Sequence, residues 1–267
     1  MADTPIRFDD GAGYERYMGQ WSQLAGEVFL DWLAPPAGLR WLDIGCGNGA
    51  FTSMLAERTA PAALQGIDPS AGQLAFAGTR AGLSGARFCQ GDAMALPFPA
   101  AAFDAAVMPL VIFFVPEPAR GVAEMARVVR PGGMVSAYAW DMPGGGFPYH
   151  ALQSEMRAMG SSLAKPPSPD ASRIEVLHAL WTAAALEAVE TCAITVERTF
   201  ASFDDYWATV QLGPSVAPLL SAMAEEEVAL LQARMRARLP SDAAGRILCS
   251  ARAHAVRGRV PAVGVSP

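Results

Sequence analysis

Charge of either sign is scarce in this chain. Only 17% of the 267 residues are Asp, Glu, Lys or Arg, and the formal net charge is −6. Binding to a phosphate backbone needs a concentrated basic surface, so we expect no nucleic-acid partner. The arginines that gather at 234–238 and 246–259 are predicted to lie on a solvated helix face and an edge strand.

Long apolar runs and paired cysteines are also missing. No stretch approaches the roughly 18 consecutive apolar residues that a membrane span needs, and MADTPIRFDD at the start lacks the basic and apolar regions of a signal peptide. The cysteines are widely spaced and form no C-x-x-C pair, which argues against a zinc site or a disulfide framework. They are Cys46, Cys89, Cys192 and Cys249. We therefore expect a cytoplasmic protein with reduced thiols, no metal and no membrane partner.

Apolar material is abundant and regularly ordered. Hydrophobic residues make up 52% of the chain, and from residue 39 short apolar runs alternate with helical patterns. Such alternation predicts a parallel sheet covered by helices on both faces. The predicted strands are 39–44, 63–68, 86–92, one within 103–113, 134–140, 188–200 and 247–260. The predicted helices are 50–59, 70–83 with Ser70 as cap, 118–129 closed by the following RPGG, and 172–187.

The α/β order is interrupted at 141–170 and 202–240, and we predict that these stretches form a cap over one end of the sheet. The resulting division has six parts. They are an N-terminal helical segment (1–38), the first α/β core (39–140), a cap insertion (141–170), a core helix and strand (171–200), a helical cap (201–246), and the last core strand with a tail (247–267); the family resemblance given below implies that the first is a lid, the second binds the cofactor and the third contacts the substrate.

The most informative short segment is WLDIGCGNGAF at 41–51. Gly45, Gly47 and Ala50 fit the G-x-G-x-x-G/A pattern of a dinucleotide-binding turn. The same letters also fit D-x-G-x-G-x-G, beginning at Asp43 and ending at Gly49. Glycines at the carboxyl end of the first strand let the backbone approach a ligand closely. The two patterns predict different cofactors.

Three acids discriminate between these patterns. Asp68 ends the second strand about 20 residues after the loop, where a carboxylate accepts hydrogen bonds from ribose hydroxyls, whichever adenosyl cofactor is bound. Asp92 ends the third strand and, with nearby backbone N–H groups, suits an adenine ring. Asp43 would repel a pyrophosphate but could orient a cationic amino acid group. The acids therefore favour a cationic adenosyl cofactor.

Four segments then resemble the successive motifs of class I S-adenosylmethionine (SAM)-dependent methyltransferases, in the ubiquinone/menaquinone-biosynthesis-like group of small-molecule enzymes. They are WLDIGCGNG, GIDPS, GDAMALPFPAAAFDAAV and RPGGMVSAYAW, in this order. The resemblance is strong over 39–140 and weak after 141, and YERYMGQWS at 14–22 resembles the N-terminal segment of the group. It implies a Rossmann-like, doubly wound, seven-stranded, mostly parallel sheet with an antiparallel last strand and a mainly helical cap.

The resemblance also implies a cofactor site. Gly45, Cys46, Gly47 and Gly49 would surround the methionine part of SAM, oriented by Asp43. Asp68, followed by Pro69, would hold the ribose, and Asp92 with Ala93 and Met94 the adenine. Met108 to Leu110 would approach the methyl-bearing sulfur. The N-terminal lid would contribute Tyr14, Tyr17, Met18 and Trp21, either by direct contact or as an amphipathic helix packed on the body.

The sequence offers few groups for acid–base chemistry. A sulfonium methyl needs an aligned nucleophile and the exclusion of water, and a base only when the acceptor must lose a proton. His150, just past the fifth strand, is the best-placed candidate for a general base, ahead of Tyr149 and Asp141. Related sequences often have His in the segment that here reads PLVIFFVPEP, where this chain has Phe113.

The expected acceptor is a small, apolar or aromatic organic molecule enclosed by the cap. The candidate substrate-binding residues are Trp140, Phe147, Tyr149, Phe113, Tyr206 and Trp207. The predicted function is SAM-dependent methylation at O, N or C, by a monomer or homodimer. A non-methylating SAM-binding enzyme, such as a cyclase or pericyclase, would share every motif, whereas an NAD-dependent oxidoreductase and a non-catalytic regulator fit less well.

Overall fold

A single mixed sheet carries the fold in the computed structural model, which describes residues 15–262. Its seven strands are β1 Arg40–Ile44, β2 Ala63–Asp68, β3 Arg87–Gln90, β4 Phe103–Pro109, β5 Val129–Trp140, β6 Glu187–Phe200 and β7 Ile247–Arg259. Their order is β3-β2-β1-β4-β5-β7-β6, and β7 is antiparallel to both of its neighbours while the other pairs are parallel. The predicted fold class is confirmed.

Nine α-helices accompany the sheet in the described part of the chain. They are α1 Gln20–Leu33, α2 Ala50–Thr59, α3 Ala71–Ala77, α4 Pro118–Val128, α5 His150–Ala158, α6 Ile174–Ala183, α7 Phe203–Val210, α8 Ala217–Ala222 and α9 Glu225–Arg238. A π-helical turn, Glu15–Gly19, precedes α1. None of these helices combines the length and apolarity needed to cross a bilayer.

Two predicted boundaries are wrong for identifiable reasons. The RPGG segment does not close α4 as a loop, because α4 leads directly into β5 and Val129 already pairs with Phe103. A Cβ on Gly133 would lie 2.6 Å from the Asp104 carbonyl oxygen, so a glycine is needed for this close pairing. The second helix, α3, has the predicted Ser70 cap, which accepts from the Gln73 N–H at 3.3 Å, but it ends at Ala77 rather than 83.

Helix α1 is part of the core rather than a detached segment. Phe29 packs against Tyr138 of β5 with ring centroids 4.6 Å apart. Trp21 is fully buried, and its indole N–H donates to the Tyr149 hydroxyl at 3.2 Å. The part of the predicted lid that forms α1 is therefore held against the body by aromatic packing and a buried hydrogen bond. Tyr14 lies outside the described residues.

Candidate functional site

The chain reverses its direction of travel across the sheet next to β1. After β1 it builds β2 and β3 on one side, and β4 then pairs with β1 on the other. In open α/β sheets, ligands bind outside the carboxyl ends of the strands at such a reversal. The glycine loop that follows β1 lies at this position, as the sequence predicts.

The glycine loop has the backbone shape that only glycine adopts without strain. Gly45, Gly47 and Gly49 have φ values of 71°, 52° and 79°. A Cβ on Gly45 would lie 2.4 Å from Val111 Cγ2, so this glycine lets the segment after β4 approach the loop. A Cβ on Gly47 would meet nothing closer than 4.0 Å. Gly47 therefore leaves its backbone open to a ligand.

Asp43 is a buried carboxylate with one oxygen in use. Its side chain has no exposed surface, and Oδ2 accepts from the Thr52 hydroxyl at 2.7 Å. Oδ1 has no hydrogen-bond partner among the described residues. Burial raises the pKa of Asp43 to about 7, opposed by the Thr52 hydrogen bond and assisted by the negative charge of Asp68. Such a group suits a cationic donor such as an ammonium.

Asp68 joins β2 to the glycine loop. Its carboxylate accepts from the backbone N–H of Gly47 at 2.9 Å and from that of Ser70 at 2.8 Å. Burial raises the pKa of Asp68, against the effect of these two donors. Each carboxylate oxygen keeps a further lone pair, so the fixed carboxylate can still accept from a pair of hydroxyls. Pro69 follows directly and its carbonyl accepts from Gln90 at 2.8 Å.

Asp92 is exposed in the turn that follows β3. Its Oδ1 accepts from the Met94 N–H at 2.8 Å, which forms a tight turn after β3. Ala93 and Met94 pack against the core as half-buried residues. Met108, in contrast, is fully buried within β4. The segment that faces open space after β4 begins instead at Leu110, whose φ of 59° turns the chain away from the strand.

Together these residues fit SAM. A buried acid with an unpartnered oxygen, an open glycine backbone and a fixed second acid provide for an ammonium, a methionine chain and a ribose. The thiol of Cys46 is buried, and burial raises its pKa, so it contributes shape rather than a thiolate. A pyrophosphate would meet the Asp43 carboxylate instead.

The start of the described chain is fastened to the glycine loop by a contact that the sequence did not reveal. Glu15 Oε2 accepts from the Asn48 amide at 2.8 Å and forms an ion pair with Arg80. Arg80 also donates to the Asn48 carbonyl at 2.6 Å. Three segments, before α1, in the loop and after α3, therefore meet at the 2%-exposed Asn48.

A cavity of about 410 Å³ lies next to this site. Its apolar lining includes Tyr17, Met18, Leu110, Phe113, Trp140 and Phe147. Leu110 connects the two sites, because it lines the cavity while the next residue, Val111, packs on Gly45. Three of the predicted substrate-binding residues, Phe113, Trp140 and Phe147, line this cavity.

The other three aromatic candidates lie in the hydrophobic core instead. Tyr149 stacks on Tyr17 with ring centroids 4.5 Å apart, and its hydroxyl donates to the Tyr17 carbonyl at 2.7 Å. Tyr206 and Trp207 are buried in α7, where Tyr206 packs edge-on against Phe200. None of the three lines the cavity. They support its wall from behind.

His150 lines the cavity as the first residue of α5. Its Nε2 is 3.1 Å from Ser154 Oγ. Burial lowers the pKa of His150, and the positive charges of Arg157 and Arg238 lower it further. The imidazole is therefore neutral at neutral pH, which is the form that can accept a proton.

The remaining candidates for acid–base chemistry have structural partners. Asp141 accepts from the Arg252 guanidinium at 2.6 Å and from the Gly144 N–H at 2.9 Å. Burial tends to raise its pKa, but Arg252 and Gly144 hold the pKa of Asp141 below its ordinary value. The other two histidines do not line the cavity: His254 in β7 contacts the Ser172 carbonyl at 2.9 Å, and His178 lies exposed on α6.

Several site residues escaped the sequence reasoning. Thr52 and Val111 contact Asp43 and Gly45 from the elements that follow β1 and β4. Arg157 and Lys165 line the cavity, and neither belongs to a recognisable motif. Thr52 could have been found, because it lies one helical turn after the glycine loop with its hydroxyl on the buried face of α2.

Comparison with known proteins agrees with this geometry. A protein family described as "Methyltransferase domain" matches residues 42–137. A fatty-acid O-methyltransferase of Mycolicibacterium smegmatis is 40% identical over 96 residues, which are 36% of this chain and 35% of the relative. A demethylmenaquinone methyltransferase of Clavibacter sepedonicus is 33% identical over 147 residues, or 55% and 59% of the two chains. The similarity thus spans about a third to three-fifths of these relatives.

Two solved structures share the fold. Haemonchus contortus phosphoethanolamine N-methyltransferase 2, in complex with SAM, has a TM-score of 0.59, 16% identity, and coverage of 97% of this chain and 59% of its own. The [4+2]-cyclase SpnF has a TM-score of 0.54, 22% identity, and coverage of 90% and 81%. At these identities the likeness concerns architecture.

By its sheet order and glycine loop, and by sequence over residues 42–137, the chain is similar to the class of methyltransferase domains. Within this class, the expected resemblance to the ubiquinone/menaquinone-biosynthesis-like group is confirmed by the similarity to the Clavibacter enzyme.

Proposed function

We propose that this protein transfers a methyl group from SAM to an O, N or C atom of a small, largely apolar molecule bound in the cavity. The observation that carries the proposal is the junction at Leu110 and Val111. One residue lines the cavity and the next packs on the glycine loop, so an acceptor and a cofactor would meet at the end of β4.

The cofactor residues have distinct tasks in this proposal. Asp43 holds the ammonium group of the methionine part, the open backbone at Gly47 lies along it, Asp68 binds the ribose hydroxyls, and Asp92 with the Met94 turn binds the adenine. When bound, SAM supplies an already activated methyl group. The protein must then align the acceptor and keep water out.

The cavity walls provide both functions. Tyr17 and Met18 are buried at one side and are fixed by the stacking of Tyr17 on Tyr149. Phe113 and Trp140 line other parts of the wall. His150 is neutral and is placed to accept a proton when the acceptor is a hydroxyl or another group that must lose one.

A calorimetric titration with SAM tests the cofactor site. We expect Asp68→Ala and Asp92→Ala each to weaken binding, with the larger loss, tenfold or more, for the buried Asp68 because it leaves the Gly47 N–H without its acceptor. Asp31→Ala is the matched control, since Asp31 is an exposed acid on α1 that forms an ion pair with Arg58 of α2. Unchanged affinity in both site variants would contradict the assignment.

Methyl transfer itself is tested by the release of S-adenosylhomocysteine. The alternative is a SAM-binding enzyme that does not methylate. A [4+2]-cyclase with the same fold is the reason to test for it. Incubation with SAM and an extract of apolar metabolites should yield S-adenosylhomocysteine together with a product heavier by one methylene. Substrate turnover without S-adenosylhomocysteine would favour the alternative.

A further inference from the structure

The cavity changes character from its interior to its mouth. The lining side chains of Tyr17, Leu110 and Trp140 are almost fully buried and form the interior. Arg157 and Lys165 line the same cavity but are exposed, so they lie at the mouth. A molecule that fills the cavity therefore meets apolar groups in the interior near the glycine loop and cations where the cavity opens to solvent.

The two cations are not neutralised by the protein. Within the described part of the chain, neither Arg157 nor Lys165 has a carboxylate within 4.0 Å, and Arg157 makes only a 3.3 Å hydrogen bond to the Gln153 amide oxygen. The acids nearby are engaged elsewhere. Asp170, also at the mouth, binds Arg173 at 2.8 Å. Glu155 of α5 is paired with Arg238 at 2.8 Å.

Lys165 is unusual both as a residue type in this chain and in the residues that follow it. It is the single lysine of a chain that carries 20 basic residues. Pro166 and Pro167 follow it, and Pro166 is buried against the cavity. A residue before proline is restricted to extended backbone, so the position of Lys165 is more fixed than that of an ordinary loop lysine. Arg157 is fixed at its base by helix α5.

We propose that the natural acceptor is an amphipathic organic anion, with an apolar body in the cavity and a carboxylate or phosphate at the mouth, bound by Arg157 and Lys165. This inference rests on the proposed function and names the substrate class of the same site. The reacting atom lies at the Leu110 end, and the anionic group lies at the far end. A guanidinium offers paired donors to such an anion and an ammonium adds a compact charge.

The test measures binding rather than turnover. A neutral solvatochromic dye, Nile red, is bound in the cavity and displaced by decanol, decanoate or decyl phosphate, all below their micellar concentrations. We expect both anions to displace the dye at concentrations at least tenfold lower than decanol. The two anionic arms show whether a carboxylate or a phosphate is preferred.

Charge-neutral variants then locate the effect. Arg157→Gln and Lys165→Gln should each reduce the advantage of the anions over decanol several-fold, and the double variant should remove it. Arg87→Gln is the matched control, because it removes the same charge from an exposed position at the amino end of β3, on the opposite edge of the sheet. Displacement by decanol should not change in any variant.

The single lysine permits an independent measurement. Acetylation with an N-hydroxysuccinimide ester modifies only Lys165 and the terminal amine, and mass spectrometry separates the two. We expect decanoate, but not decanol, to protect Lys165 while the terminal amine reacts unchanged.

Three results would overturn the inference: equal displacement by decanol and the anions, no displacement by any of them, or an anion advantage that Arg157→Gln, Lys165→Gln and Arg87→Gln leave equally intact. The proposed function is judged separately, by SAM affinity and S-adenosylhomocysteine release. Methyl transfer without any preference for anions would refute this inference and leave the function standing. A preference for anions without methyl transfer would refute the proposed function and with it the role of the anion as acceptor, and would leave only anion binding at the mouth.

Discussion

Asp43 offers a sharp test of the cofactor site, because its burial has opposite consequences for stability and for binding. The carboxylate has no exposed surface and one oxygen without a partner among the described residues, and its pKa is raised to about 7. In the unfolded chain the same group has a pKa near the ordinary value of about 3.9. The folded protein therefore binds the Asp43 proton more tightly than the unfolded chain does.

The sign of the stability effect follows from this difference. Between about pH 4 and pH 7 the folded state holds more protons than the unfolded state, so the free energy of unfolding falls as the pH rises through this range. It levels off above the folded-state pKa of about 7. At about 1.4 kcal/mol for each tenfold change in proton affinity, ionised Asp43 costs the fold up to about 4 kcal/mol.

Asp43→Asn should remove this pH dependence. Asparagine keeps the volume, and its amide oxygen can still accept from the Thr52 hydroxyl. Its amide N–H₂ group lacks an acceptor, at a cost of about 1–3 kcal/mol that does not vary with pH. We therefore expect a net gain of about 1–3 kcal/mol over wild type at pH 8, and a loss at pH 4.5.

Urea denaturation without added cofactor, at half-unit steps from pH 4.5 to 8.5, measures this directly. Asp104→Asn is the control of opposite sign, because hydrogen bonds from Arg40 and Arg130 hold the pKa of Asp104 below its usual range. That variant should lose stability at pH 8. Titration with SAM should show that Asp43→Asn binds at least tenfold more weakly. Parallel pH profiles for wild type and Asp43→Asn would refute the reasoning.

Two further predictions follow from the loop and the cavity. Gly45→Ala should lower the free energy of unfolding by about 2–4 kcal/mol in urea denaturation, because it places a Cβ on a left-handed backbone and 2.4 Å from Val111. Gly82→Ala is the control, because its backbone is also left-handed but nothing lies within 4 Å of the new Cβ, and it should cost only about 1–2 kcal/mol. Equal costs would show that the contact with Val111 is unimportant. If His150 is the base, kcat/KM should fall about 10²–10⁴-fold in His150→Asn, and the wild-type profile should rise with pH through a pKa below the ordinary histidine value, because burial and the nearby arginines lower the pKa of His150. Unchanged kcat/KM in His150→Asn would exclude that role.

The glycine loop was readable from sequence because its determinants are local. An apolar strand, three glycines and a helix within 20 residues admit few backbone paths, and both β2 and α2 have the predicted bounds. The RPGG segment was misjudged because its extension of β5 depends on pairing with β4, about 25 residues earlier in the chain. Helix propensity and turn composition do not record such pairing.

The lining of the cavity was less predictable from sequence, for a geometric reason. An aromatic residue in a cap sequence can face the cavity, as Phe147 does, or support its wall from behind, as Tyr206 does. Composition does not distinguish the two. Arg157 and Lys165 come from a helix and a loop with no shared motif, and only the fold brings them to one mouth.

The interior and the mouth of the cavity differ in whether the matched domain contains their residues. The matched methyltransferase domain, 42–137, contains Leu110 and Phe113 at the interior of the cavity but neither Arg157 nor Lys165 at its mouth. The residues that would hold a cofactor and approach the reacting atom therefore lie within the matched range, while the charges that would select the far end of the acceptor lie outside it. Substitutions at the mouth meet solvent rather than core, so they can alter acceptor choice at little cost in stability. If the mouth binds an anion as proposed, the names of relatives inform the methyl donor more directly than the acceptor, and the charge of the mouth is the better guide to the acceptor.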